Sequence, residues 1–561
     1  MNFLFVFPKY CSRGGFYHFN FGLAYVSSYM KHKGFNVSCL NLCHYDEPVK
    51  LQLAECITNN KIDVICTGGM SINFEEINTI LVNAKKIKPE IITVVGGAII
   101  SSDPRLALEN MQIDFGVIGE GEETMAELGD VLSNKGDVSN IKGLVYFDTK
   151  KNLVTTEFRE PIDDLDSLPF PEYEGFEYGY HLSTFAPNSH LYYHTILNEV
   201  RVGKISTSRS CPFSCTFCYH QLGKKYRQRS LDNVFKEIDY LVEKYNINTL
   251  ILLDELFSID KERLYEFAER IKKYNLKWMP ILRVDNVDRD ILKALKESGV
   301  YIIGYGIENL NDEILKSMQK KITRVQIENA LRLTKEAGIG SQGGILFGDP
   351  AETEETIKET IGWWSKHLQY GLLLSMIITL PDAPLYRYAM ARGLIKNKLQ
   401  YMKNKFPIIN LTKLSGEKFK KICDFINNYR NDERYIITGK VISSEEQRDN
   451  HLKKSSSLLS KYFKEKLFSI KVKCPECCMV TEYRNMRYAL SGELAEYFPI
   501  LCRSCNMLLW INTKQGFFIN YPFNNIIFEI MKNMVALLNR HRFIKLICRK
   551  VLGKIIIRDI V

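Results

Sequence analysis

Three cysteines stand together in "SRSCPFSCTFCYH", residues 208–220: Cys211, Cys215 and Cys218, in a C-x3-C-x2-C arrangement. Thiolates are soft ligands suited to zinc or to iron–sulfur centres. Three are too few for a closed structural zinc site, which takes four. Either a fourth ligand comes from elsewhere, or the centre keeps one position open. Further along, "CPECC" (474–478) and "CRSC" (502–505) form two C-x2-C pairs separated by 24 residues. Cys474, Cys477, Cys502 and Cys505 supply the tetrahedral set of a closed zinc site, with Cys478 a spare or a substitute for Cys477. A second iron–sulfur cluster is the alternative for this set.

A 4Fe–4S cluster bound by three thiolates leaves one iron without a protein ligand. A small molecule with an amino and a carboxylate group can chelate that iron and accept an electron from it. The plainer reading, buried or half-zinc cysteines, is weighed against where the elements place the triad.

Those elements come in two series. In residues 1 to 135 the short apolar runs "NFLFVF", "NVSCLNL", "DVICTGG", "ITVVGG" and "DFGVIG" alternate with helical stretches. That rhythm predicts a Rossmann-like, doubly wound parallel sheet. Ligands sit beyond the carboxyl ends of such strands, which here carry "TGGMS", "GGA" and "GEGE". Thr67, Gly68, Ser71, Gly96, Gly97, Gly119, Glu120 and Gly121 are the candidate contacts. From about 203 to 400 six further strand–helix units, beginning with "KISTSRS", predict a partial TIM-type (β/α)6 barrel. The cysteine triad falls in the loop after its first strand, on the face where barrels do chemistry.

The chain has 561 residues and 65.0 kDa, 45% hydrophobic and 25% charged. That is the composition of a globular α/β protein of two to four domains. The boundaries read as 1–140 sheet domain, 141–200 linker, 201–400 barrel, 401–470 helical region, 471–515 zinc-ribbon-like unit and 516–561 basic amphipathic tail. Fifteen cysteines, spread through the chain and partly clustered at metal-like spacings, with no leader pattern, point to a reducing, cytoplasmic compartment. The tail "NRHRFIKLICRKVLGKIIIR" reads either as a membrane-surface helix or as a docked helix with a basic outer face.

"CPFSCTFC", with Phe217 before the last cysteine, resembles the signature of the radical S-adenosylmethionine (SAM) superfamily. The preceding sheet domain and the linker "DDLDSLPFP" resemble those of its large cobalamin-dependent class, so the likeness covers roughly residues 1–390. It implies a 4Fe–4S cluster, SAM, cobalamin and an electron donor such as a flavodoxin or ferredoxin. It also implies roles for named positions. Asp254 and Glu255 in "LLDELF" would hold the methionine amino group, Arg283 in "ILRVD" the SAM carboxylate, and Glu308 in "GYGIEN" the ribose. "FGDPAETEET" would lie near the adenine, with Ala351 where glycine is usual and Glu352 a candidate helix cap. A helix-terminal acid and a surface ion pair are the competing readings of Asp254–Glu255 and of Arg283.

No D-x-H-x-x-G motif occurs, so cobalamin is expected without a protein histidine; His18 and His44 read as loop residues. The expected activity is methylation of an unactivated carbon in a small-molecule, lipid or peptide-type substrate. Alternatives are a methylthiotransferase or RNA-modifying enzyme, for which no clear nucleic-acid signature is seen, a cobalamin-dependent rearrangement, or a non-catalytic cobalamin/SAM sensor.

Overall fold

The computed structural model describes residues 1–13, 15–185, 191–220, 223–257, 259–447, 467–487, 496–513 and 515. After Asn2 the strand β1 (Asn2–Phe7) is an unbroken apolar run whose five residues are all buried, as a strand covered on both faces requires. With β2 (Asn36–Asn41), β3 (Val64–Gly68), β4 (Ile92–Gly96) and β5 (Phe115–Val117) it forms a parallel sheet in the order β2-β1-β3-β4-β5. The chain reverses direction of winding between β1 and β3, so their loops diverge and leave a crevice above them. Two antiparallel strands, β6 (Leu144–Phe147) and β7 (Leu153–Thr155), extend the sheet beyond β5. The sheet therefore continues past 140, into the stretch expected to be linker. Beyond it, Tyr173, Phe176 and Tyr178 are buried, with Phe176 stacked on Phe7 at 3.8 Å.

The second domain begins with β8 (Val202–Ile205), after which β9 (Ser208–Arg209) and β10 (Arg227–Gln228) pair antiparallel and bracket the cysteine loop. Next come β11 (Thr249–Leu252), β12 (Lys277–Met279), β13 (Ile281–Leu282), β14 (Ile302–Glu308), β15 (Gly340–Phe347) and β16 (Leu372–Met376). All pair in parallel, in two arcs β12-β11-β8 and β13-β14-β15-β16. Pro280 has no N–H to give a ladder and splits one strand into β12 and β13. The arcs stay joined by the Trp278–Val300 bridge and by Gly304 N–H donating to Pro280 O at 2.9 Å. The result is six strand positions of an open barrel.

The region 401–470 is only partly helical. After the helix Gly416–Asn428 the chain forms β17 (Lys440–Gln447), which pairs antiparallel with β18 (Leu467–Lys473). "KVISSEEQ" is polar enough to suit an exposed helix; its pairing with β18 makes it a strand, a tertiary choice that local sequence does not carry. β18 pairs with β19 (Val480–Arg487), and β20 (Tyr497–Leu501) with β21 (Leu508–Asn512), each hairpin turning at one C-x2-C pair. This unit seals the barrel at the amino ends of its strands. Leu501, Leu508 and Trp510 share one buried cluster with Val202, Ile251, Met279 and Ile302, and a Cβ on Gly340 would lie 2.3 Å from Asn506 O. The basic tail 516–561 lies outside the described residues. Among the described residues no helix is long and apolar enough to cross a membrane.

Candidate functional site

A cavity of about 680 Å³ lies between the carboxyl ends of the sheet strands and the mouth of the barrel. Sheet-side walls include Thr67, Gly68, Gly96, Gly97, Gly119, Glu120 and Gly121; barrel-side walls include Ser206, Ser208, Arg209, Ser210 and Glu255. Two glycines here are required by the sheet itself. A Cβ at Gly68 would meet Gly96 O at 2.4 Å, and one at Gly97, whose φ is +87°, would meet Gly69 O at 2.8 Å. Gly119 differs: at φ +77° nothing lies within 4 Å of its Cβ position. Ser71, one of the expected contacts, does not line the cavity; its hydroxyl pairs with Ser102 Oγ at 3.2 Å.

Glu120 lines the cavity but its carboxylate is committed to the protein. Arg227 Nη1 donates to both its oxygens at 2.9 Å, Ile162 N–H to Oε2 at 2.7 Å, and Arg209 Nη1 lies 3.1 Å from Oε1. Arg209 also donates to Glu122 at 2.6 Å. Burial opposes ionisation of Glu120, but the arginines outweigh it and hold its pKa below the ordinary value. Sequence reasoning missed these two arginines. Arg209 sits inside the quoted cysteine motif, but only the fold brings it to the other domain.

The cysteine loop is pinned on both flanks: Thr216 N–H donates to Met318 O at 3.0 Å, and Thr216 O accepts from Leu385 N–H at 2.9 Å. Phe217 packs against the apolar cluster containing Ile314, Met318 and Leu385. Arg283 stacks its guanidinium on Phe213 at 3.8 Å, and its donors engage Asp285 at 2.9 and 2.8 Å and the carbonyls of Lys320 and Lys321. Arg283 therefore braces the loop, with its fork already occupied. Burial raises the pKa of all three thiols, Cys218 to about 12, while Lys320 acts in the opposite sense on each. Lys320 spans the space over Gly306 and pairs with Glu308 at 2.9 Å. Glu308 is held at φ +67°, where the β14–β15 register shifts.

The two acids of "LLDELF" divide their work. Asp254 is buried and accepts from Thr207 N–H at 2.6 Å, Thr207 Oγ1 at 2.5 Å and Ser208 N–H at 2.9 Å. It shapes the strand leading into the cysteine loop, and burial raises its pKa to about 6. Glu255 opens onto the cavity, with no hydrogen-bond or ion-pair partner among the described residues. The surrounding loops still withhold enough water to raise its pKa, and its charge acts on Cys211 and Cys218. A free carboxylate beside the triad suits an ammonium; Asp254 does not. Glu352 is not the helix cap. Thr353 and Thr356 form that capping box, and Glu352, buried, accepts from Gly348 N–H at 2.7 Å with a pKa raised by burial to about 8.

The three sulfurs of the triad do not all close to within 4.8 Å of one another. Among the described residues the one compact group of His, Cys, Asp and Glu ligand atoms is elsewhere: Cys474, Cys477, Cys502 and Cys505, all within 4.8 Å of one another. Cys474–Cys505 and Cys477–Cys502 sulfurs are 3.8 and 3.7 Å apart. Four sulfurs bound tetrahedrally to one zinc at 2.3 Å lie about 3.8 Å apart, so this set fits a single ion. Cys478, exposed and at φ +58°, ends the first turn and stands outside it. Both candidate histidines are engaged within the protein. His44 is held by Tyr17 Oη at 2.5 Å and Glu177 at 2.7 Å. His18 Nδ1 faces the Lys204 ammonium at 3.3 Å, which leaves the ring proton on Nε2.

A three-cysteine loop facing the switch point of a doubly wound sheet defines the class. The Radical SAM superfamily model matches residues 205–363 and the B12 binding domain model residues 10–129. The uncharacterized methyltransferase PH0819 of Pyrococcus horikoshii is 29% identical over 419 residues, 72% of this chain and 85% of that protein. The anaerobic magnesium-protoporphyrin IX monomethyl ester cyclase of Rubrivivax gelatinosus is 29% identical over 373 residues, 64% of this chain and 65% of that protein. Two solved structures share the fold. The radical SAM methyltransferase TsrM of Kitasatospora setae, with cobalamin and a 4Fe–4S cluster, has TM-score 0.56 at 18% identity, covering 70% of this chain and 75% of that one. The cobalamin-dependent radical enzyme OxsB has TM-score 0.54 at 18% identity, covering 73% and 57%. This chain is a radical SAM enzyme with an N-terminal B12-binding domain.

Proposed function

We propose that the chain methylates an unactivated carbon of a small-molecule, lipid or peptide-type substrate, fed by a flavodoxin- or ferredoxin-like electron donor. The observation that carries this reading is a cavity walled by both domains, with the segment leading into the cysteine loop on one side and the sheet's glycine loops on the other. When bound, the cluster supplies the electron that cleaves SAM and the corrinoid supplies the methyl group. Cys211, Cys215 and Cys218 hold the cluster, and Glu255 takes the SAM ammonium. Glu308 stays with Lys320, whose positive charge favours the thiolate forms. Thr67, Gly68, Gly96, Gly97, Gly119 and Gly121 would border the corrinoid. Glu120, Glu122, Arg209 and Arg227 fix the two halves in register, so that reacting atoms stay close and water is kept out. Cys474, Cys477, Cys502 and Cys505 hold zinc. The methyltransferase names among the relatives support this reading.

The cyclase relative favours a second reading, bond formation within the substrate without methyl transfer. One experiment separates them. Enzyme reconstituted anaerobically with iron, sulfide and cobalamin is given SAM labelled in its methyl group and a reductant. Methylation predicts 5'-deoxyadenosine together with labelled product. 5'-Deoxyadenosine with unlabelled product points to rearrangement, and its absence removes the enzyme reading.

A further inference from the structure

Over Gly69 the sheet side of the cavity has a small gap with polar walls. It lies in the crevice between β1 and β3, since Tyr10 follows β1 and Asn73 follows β3. Tyr10, Gly69 and Asn73 all line the cavity. A Cβ placed on Gly69 would stand 3.4 Å from Asn73 Oδ1, 3.5 Å from Tyr10 Oη and 3.7 Å from Ile77 Cδ1. Glycine therefore leaves a methyl-sized space bordered by two oxygens, one from each strand's loop.

Both groups keep hydrogen-bonding capacity that the fold does not use. Asn73 stands at the head of the helix Phe74–Ile87, where an asparagine ordinarily commits its side-chain oxygen to a first-turn N–H. Here it makes no cap bond, and its amide has no other hydrogen-bond partner among the described residues. Tyr10 Oη accepts from Asn20 Nδ2 at 3.1 Å and keeps its own proton to give. Asn20 fixes that hydroxyl with its own amide committed: Nδ2 also donates to Gly68 O at 3.2 Å, and Oδ1 accepts from Leu23 N–H at 3.2 Å. One wall of the gap thus offers an O–H, the other an amide that can both accept and donate.

We propose that Tyr10 and Asn73 form a cradle over Gly69 for a carboxamide on the rim of the corrinoid, and so select corrinoids by their amide side chains. The inference rests on the reading of this cavity as the corrinoid site. A primary amide answers both walls at once: its carbonyl accepts from Tyr10 O–H while its NH2 donates to Asn73 Oδ1. A carboxylate has no proton for Asn73 Oδ1, and an apolar group would leave both walls unpaired. The corrin ring carries such amides around its edge, where a loop beyond a strand end can reach them.

The test uses the full chain reconstituted with iron and sulfide but no corrinoid. Hydroxocobalamin, and a corrinoid whose rim amides have been hydrolysed to carboxylates, are each titrated by equilibrium dialysis without substrate, with corrinoid absorbance as the readout. Wild type should bind the intact corrinoid more tightly than the hydrolysed one. Asn73→Ala should weaken binding of the intact form about five- to tenfold and change the hydrolysed form little, so the preference shrinks. Its thermal midpoint should match wild type, because the side chain makes no cap bond. Tyr10→Phe should act in the same direction and carries the test if Asn73→Ala does not fold. Hydroxocobalamin bound equally by wild type and both variants, or an equal loss for both corrinoids, overturns the cradle alone. No corrinoid binding by wild type strikes the corrinoid reading and the cradle with it.

Discussion

Arg209, two residues before the first cysteine of the triad, donates to Glu122 of the opposite domain at 2.6 Å. Glu120, two residues away from Glu122, is gripped by Arg209 and Arg227 together. Gly119 and Gly121 flank Glu120 and line the cavity. The cluster loop and the last loop of the sheet thus share one buried ionic knot, which sets the gap between whatever they hold.

That knot makes a stability prediction. All four side chains are nearly buried, and removing one partner of such a pair costs about 3–5 kcal/mol because the other charge is left stranded. R209M should lower the urea midpoint accordingly. Adding E122Q should restore part of the loss, with a coupling of roughly 0.5–3 kcal/mol in the double-mutant cycle. Strictly additive losses would show that the arginine acts alone.

Asp254 and Glu255 should separate cleanly. D254N weakens the acceptor that ties Thr207 and Ser208 to β11, so cluster loading and thermal stability should fall together. E255Q removes a carboxylate that the fold does not use. Its iron content and midpoint should match wild type while the dissociation constant for SAM, measured by equilibrium dialysis, rises on the order of tenfold or more. A SAM affinity equal to wild type would return Glu255 to the surface.

The contrast between these two acids shows how far sequence could reach. The alternation of strands and helices, the cysteine spacing and the glycine-rich strand ends are local, and they located both domains and the face of each that matters. Which of two adjacent acids faces the cavity depends on Thr207 and Ser208, 47 and 46 positions away. The commitments of Glu120 to Arg227 and of Arg283 to Phe213 are also long-range, and so is the pairing that makes 440–447 a strand. Lys204 and His18 carry no motif; they meet across 186 positions.

The C-terminal sulfurs predict one zinc per chain, separate from the iron. Their 3.7 and 3.8 Å separations match one tetrahedral ion. C474S should lose the zinc, and C478S should keep it. Because Leu508 and Trp510 share the cluster that contains Val202 and Ile302, zinc removal by chelation should also speed amide exchange in β8 and β14. Unchanged exchange there would mean that the unit does not support the barrel floor.

The last prediction concerns pH. Burial lowers Lys204 from 10.5 to about 7. Below pH 7 both folded and unfolded chains carry this proton, and the cost of burying the charge is felt in full. Between pH 7 and 10.5 only the unfolded chain keeps it, so Lys204's contribution to stability rises with pH and levels off above that window. K204M, which buries no charge, should therefore be more stable than wild type by on the order of 1–4 kcal/mol near pH 6.5, the gap closing as pH approaches 10. His18, lowered to about 4, and His181 and His194, held well below the ordinary imidazole range by burial, leave the trend to Lys204. Denaturation midpoints of the two proteins at pH 6.5, 8 and 9.5 check the slope. A wild type that loses stability relative to K204M as pH rises would place Lys204 in a structural ion pair instead.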